Sequence, residues 1–80
     1  MVFQYDAIVD YEGHDEQQVG FITSTSLADA SGRLIGYFGE DNLMRYTIEI
    51  IAPENFIVLN KEHKTEVNQF GDIISANAVW

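Results

Sequence analysis

One short helical segment, set between strand-like runs, most constrains what this 80-residue chain can fold into. Over Ser26 to Phe38, a helical projection of about 100° per residue groups Leu27, Ala30, Ser31, Leu34, Tyr37 and Phe38 on one side. Asp29, Arg33, Gly36 and Glu40 fall on the other, so one stripe is expected to face a core and the other water. Among Ser24, Thr25 and Ser26, only Ser26 places an acid, Asp29, at the third helical position, where a carboxylate reaches unpaired amide donors; Ser26 is the expected N-cap. Gly39 supplies a residue able to enter the left-handed region after Phe38, and Glu40-Asp41-Asn42 reads as the loop that follows.

A helix this short cannot form a core alone, and the flanking segments supply its partner. Phe3, Tyr5, Ala7, Val9 and Tyr11 alternate with Gln4, Asp6, Ile8, Asp10 and Glu12, the period of a half-buried strand. Gly13-His14-Asp15-Glu16 reads as a hairpin turn, after which Gln17 to Thr23 returns antiparallel, with Val19 and Phe21 expected to point inward and Gly20 expected at a bulge. Beyond the helix, Met44, Tyr46, Ile48 and Ile50 form an inward set. Pro53-Glu54-Asn55 then turns the chain into Phe56-Ile57-Val58-Leu59, a second hairpin. Residues 60–72 carry no deciding period: Asn60 to Gln69 fits a loop, a short helix or a ragged strand. After Gly71, Ile74, Ala76, Ala78 and Trp80 alternate as a possible fifth strand. The expected fold is α+β, a single antiparallel or mixed sheet in the order β-β-α-β-β with a helix on one face, and residues 1–80 form one small acidic domain.

Composition narrows the chemistry. There is no cysteine, so neither disulfides nor thiolate metal sites staple the fold, and a chain this short buries only about 60% of its unfolded surface. No basic leader and no apolar run near the roughly 18 residues of a membrane span is present, so a soluble, cytoplasmic protein without membrane contact is expected. Thirteen acids against four Lys plus Arg give a net charge of −9, concentrated in residues 1–40 with seven acids and one base. Such a field repels nucleic acid, whose binding relies on Lys and Arg displacing counterions. It suits a basic protein surface, or mimicry of a phosphate backbone, with Asp6, Asp10, Glu12, Asp15 and Glu16 as the acidic face.

No phosphate loop, nucleophile elbow, paired-His motif or calcium loop occurs, and the sequence assigns no catalytic, cofactor or metal residue. His14 lies among acids without calcium-loop spacing, and His63 reads as an exposed turn residue. Gly32 and Gly36 are unusual: each costs about 1 kcal/mol relative to Ala inside a helix, and they either fray or split the helix near Gly32 or, with Ala28, form a small-residue flank that lets another backbone approach. Ile8 and Ile51, apolar on outward strand faces, mark a second candidate contact. The sequence therefore reads as a non-enzymatic protein-interaction or assembly module that self-associates through Ala28, Gly32, Gly36, Ile8 and Ile51. The alternative is a small acidic inhibitor or nucleic-acid mimic, of the kind a phage or mobile element encodes against a basic host surface.

Overall fold

The computed structural model describes residues 1–9 and 17–79. Six strands form one antiparallel sheet: β1 (Val2–Val9), β2 (Gln17–Thr23), β3 (Tyr46–Ile51), β4 (Asn55–Leu59), β5 (His63–Asn68) and β6 (Ile73–Ala78), with α1 (Leu27–Leu43) between β2 and β3. Their spatial order is β2-β1-β3-β4-β5-β6. The connection through α1 thus returns β3 beside β1, and β1 becomes an interior strand with β2 on one flank and β3 on the other. This is the expected α+β architecture with one strand more. The polar stretch after Asn60 is β5, and the expected fifth strand is β6.

Alternation builds the core. Phe3, Tyr5 and Ala7 of β1, Ile48 and Ile50 of β3, and Ile57 and Leu59 of β4 are buried on the face that α1 covers. From the helix, Ala30, Leu34, Phe38 and Leu43 meet them, with Ser31 buried beside them and bonded through Oγ to the Ala28 carbonyl at 2.6 Å. The Tyr5 and Phe38 rings meet edge to face with centroids 5.9 Å apart, and Tyr46 tilts against the other side of Phe38 at the same distance.

The N-terminus of α1 is capped as its sequence implies: Ser26 Oγ accepts from the Asp29 amide at 3.0 Å. Gly39 takes the left-handed region expected of it (φ 77°). The backbone there is non-helical (ψ 167°), so α1 is two helical segments joined at a kink, the first ending as expected after Phe38. In place of the expected loop, Glu40, Asp41 and Asn42 begin the second segment: Asn42 Nδ2 donates to the Phe38 carbonyl at 2.7 Å, and Leu43 enters the core at 1% exposure.

Four other expectations are corrected. Val19 and Phe21 point away from the core, at 54% and 71% exposure; the inward residues of β2 are Gly20 and Ile22, opposite Tyr5 and Phe3. Gly20 marks no bulge, since the β1–β2 register runs unbroken; it lies instead under the Tyr5 ring, whose hydroxyl would sit 2.5 Å from a Cβ built there. The register shift of this sheet falls between β5 and β6, at Glu66/Val67. Tyr37 is exposed, lying edge-on against Phe38 at the margin of the apolar stripe, and Met44 caps the helix in the open, ahead of β3.

Two asparagines bracket β5. Asn60 Oδ1 accepts from the Glu62 and His63 amides, each at 2.8 Å, and Asn68 Oδ1 accepts from the Phe70 and Asp72 amides at 2.9 and 3.0 Å. Gly71 completes the second turn with a φ of 85°.

Candidate functional site

Because α1 packs over β2, β3 and β4, the other face of the sheet has no covering layer among the described residues. Residues directly opposite one another across an antiparallel ladder share a face, so the register lists that face row by row. One row crosses every strand: Phe21 of β2, Gln4 of β1, Ile51 of β3, Phe56 of β4, Val67 of β5 and Ile73 of β6. All but Gln4 are apolar. Phe21 and Ile73, at the ends, are 71% and 68% exposed, while Phe56 and Val67 are screened only by their neighbours. In β6, Ile74 is the extra residue at the register shift and enlarges the apolar end of the row.

The adjacent row reads Val19, Asp6, Glu49, Val58, Thr65 and Ala76. Asp6 and Glu49 are direct cross-strand partners, a like-charge juxtaposition that destabilises a sheet. The Arg–carboxylate ion pair formed among the described residues lies elsewhere, between Arg33 and Asp29 at 2.7 Å. A third row carries Ile8 between Gln17 and Thr47.

The candidate contact residues therefore separate into two groups. Ile8 and Ile51 lie on the uncovered sheet face. Ala28, Gly32 and Gly36 lie exposed on the outer side of α1, with nothing within 4 Å of a Cβ built at either glycine. The helix side and the open sheet face are opposite surfaces of the molecule, so these residues form no single patch. Of the candidate acidic face, Asp6 sits in the second row beside Glu49, whereas Asp10, Glu12, Asp15 and Glu16 fall outside the described residues, as does His14. Sequence reasoning missed Phe21, Phe56, Val67 and Ile73 as one surface. Individually each belongs to a strand with two apolar phases or none; only the register joins them.

Electrostatics elsewhere is local. Asp29 is held at a pKa of about 2, first because the Ser24 hydroxyl donates to its carboxylate and then because Arg33 Nε does so. This arrangement ties the helix start to the end of β2. Among the described residues, no three His, Asp or Glu side chains converge as a metal site. Shallow grooves flank the helix, one of them lined by Tyr5, Ile22, Arg33, Leu34 and Tyr37. No helix among the described residues is long and apolar enough to cross a membrane. Comparison with protein-family models, curated proteins and solved structures gives no match.

Proposed function

We propose that this chain is a non-enzymatic assembly module that binds a second copy of itself through the uncovered sheet face. The apolar row crossing all six strands carries this reading. Five strand spacings of about 4.8 Å make the face about 24 Å wide, and three rows with side-chain margins make it about 20 Å tall. Two copies stacked over that footprint withdraw about 1,000 Å² from water, the threshold for a specific interface.

Charge favours one arrangement. A two-fold axis along the apolar row lays the row on its own mate while setting each Asp6–Glu49 pair against the opposite margin of the other copy. Residual repulsion between two chains of −9 is long-ranged and screened by salt.

Sedimentation equilibrium across a concentration series tests the proposal. Reversible association in the micromolar range is expected, tightening as NaCl is raised from low to moderate concentration. Phe56→Lys, at the centre of the row, should weaken it at least tenfold while leaving the circular dichroism spectrum unchanged. A monomer at all concentrations refutes the reading, and so does association untouched by Phe56→Lys. Binding that requires a basic partner and weakens steeply with salt would favour the acidic-inhibitor alternative in its place.

A further inference from the structure

The sheet ends in β6, and among the described residues nothing pairs with its outer edge. Of Ile73-Ile74-Ser75-Ala76-Asn77-Ala78, none is charged and none is proline, in a chain whose net charge is −9. Edge strands are commonly guarded by Lys, by proline or by a cover. Among the described residues the register shift beside Ile74 is the one guard, and Ser75 to Ala78 keep an unbroken register with Glu66 to His63. All of these residues but Ser75 are exposed.

The hydrogen-bond phase of this strand is fixed. The Val79 amide donates to the Glu62 carbonyl at 3.2 Å, so by antiparallel alternation Asn77 and Ser75 also bond inward, to Lys64 and Glu66. The amides and carbonyls of Ala76 and Ala78 therefore point outward along the free edge.

We infer that β6 pairs antiparallel with β6 of a second copy about a two-fold axis at Ala76, joining two sheets into one of twelve strands. The strand is complementary to itself in this register. Ala76 meets its own mate in a hydrogen-bonded pair with Cα atoms about 5.5 Å apart. Ile74 lies opposite Ala78, large against small, and Ser75 lies opposite Asn77, polar against polar. Two strongly acidic chains meet along a seam that carries no charge, and the uncovered faces of the two copies lie on the same side of the joined sheet, with the row through Ala76 running across the axis. The inference deepens the self-association reading but uses a different surface from the stacked face.

The absence of cysteine permits a position-specific test. In Ala76→Cys, the two thiols face each other across the axis within the Cα range that a disulfide spans, about 4.4–6.8 Å. In Ala78→Cys, equally exposed, each thiol is opposite Ile74 of the other copy and about 14 Å from its mate, four residues along the strand. Under mild air oxidation, Ala76→Cys should form a covalent dimer at least tenfold faster than Ala78→Cys. Ala76→Pro removes an outward amide and no bond to β5; in sedimentation equilibrium it should abolish the edge dimer while sparing the fold. Should the proline variant misfold, Ala76→Lys, which sets like charges against each other on the axis, replaces it. Equal cross-linking at positions 76 and 78 in a chain that still associates overturns the edge pairing alone. A chain that is monomeric throughout overturns both readings. With both surfaces active, Phe56→Lys and Ala76→Pro should each stop assembly at a dimer, and the double variant should be monomeric.

Discussion

Gly20→Ala probes the one described glycine whose added Cβ would meet a neighbouring side chain. A Cβ at this position would lie 2.5 Å from the Tyr5 hydroxyl and 2.6 Å from the ring carbon bearing it. The ring cannot swing away freely, because Tyr5 is 7% exposed and its edge rests against Phe38. Overpacking of this kind costs about 1–3 kcal/mol, and the stiffer backbone of alanine returns up to about 1 kcal/mol. The net expected loss is about 1–2 kcal/mol, which for a domain of this size lowers Tm by roughly 5–15 °C. Thermal unfolding followed by circular dichroism gives the number, and a double-mutant cycle gives the cause. In a Tyr5→Val background, where the ring is gone, Gly20→Ala should be neutral or stabilising, so the coupling exceeds about 1 kcal/mol. A Tm for Gly20→Ala equal to that of the unsubstituted chain, or an equal loss in both backgrounds, would refute the reasoning.

The same substitution on the helix should have the opposite sign: with open space around Gly36, Gly36→Ala is expected to stabilise by up to about 1 kcal/mol in denaturant titrations, and a loss would mean a contact absent from this structure. Leu34, 1% exposed at the centre of the helix–sheet contact, should cost about 2–5 kcal/mol as alanine, a large part of the roughly 4–12 kcal/mol expected for 80 residues. Asp29 has a folded pKa of about 2 against an ordinary 3.8, so its contribution to stability is fully present above 3.8 and is lost as pH falls toward 2. Ser24→Ala should raise that pKa in a carboxyl NMR titration and move the acid transition upward; an unchanged Asp29 titration would remove Ser24 as the principal cause.

Much of the architecture was legible because α1, β1 and β3 each carry one dominant apolar phase and β4 is an apolar run bounded by turn residues. β2 was misphased for a specific reason. Gln17-Gln18-Val19-Gly20-Phe21-Ile22-Thr23 offers two phases, and hydrophobicity favours Val19 with Phe21. The core instead took Gly20 and Ile22, since the Tyr5 ring fills the space that a larger residue would need. β5 escaped notice because Lys64 and Glu66 occupy its helix side and no residue in it is fully buried. Its punctuation was nonetheless present in Asn60 and Asn68, each able to fold the next amides onto its side chain. The candidate surface was the least legible part. Ile8 and Ile51 were correctly placed outward, but a row built from one residue per strand exists only once strands distant in sequence are in register.

The reach of the helix has a kinetic consequence. Amides of β1, β3 and β4 lie beneath α1 and between paired strands, so their exchange with solvent requires opening of the whole core. β5 and β6 contain no fully buried side chain and hang from the sheet through β4 alone. In deuterated buffer, the hairpin should exchange ahead of the core, β6 first and β5 next, well before β1, β3 and β4. Docking of a second chain along β6 would reverse that order locally, turning the least protected strand into an interior one.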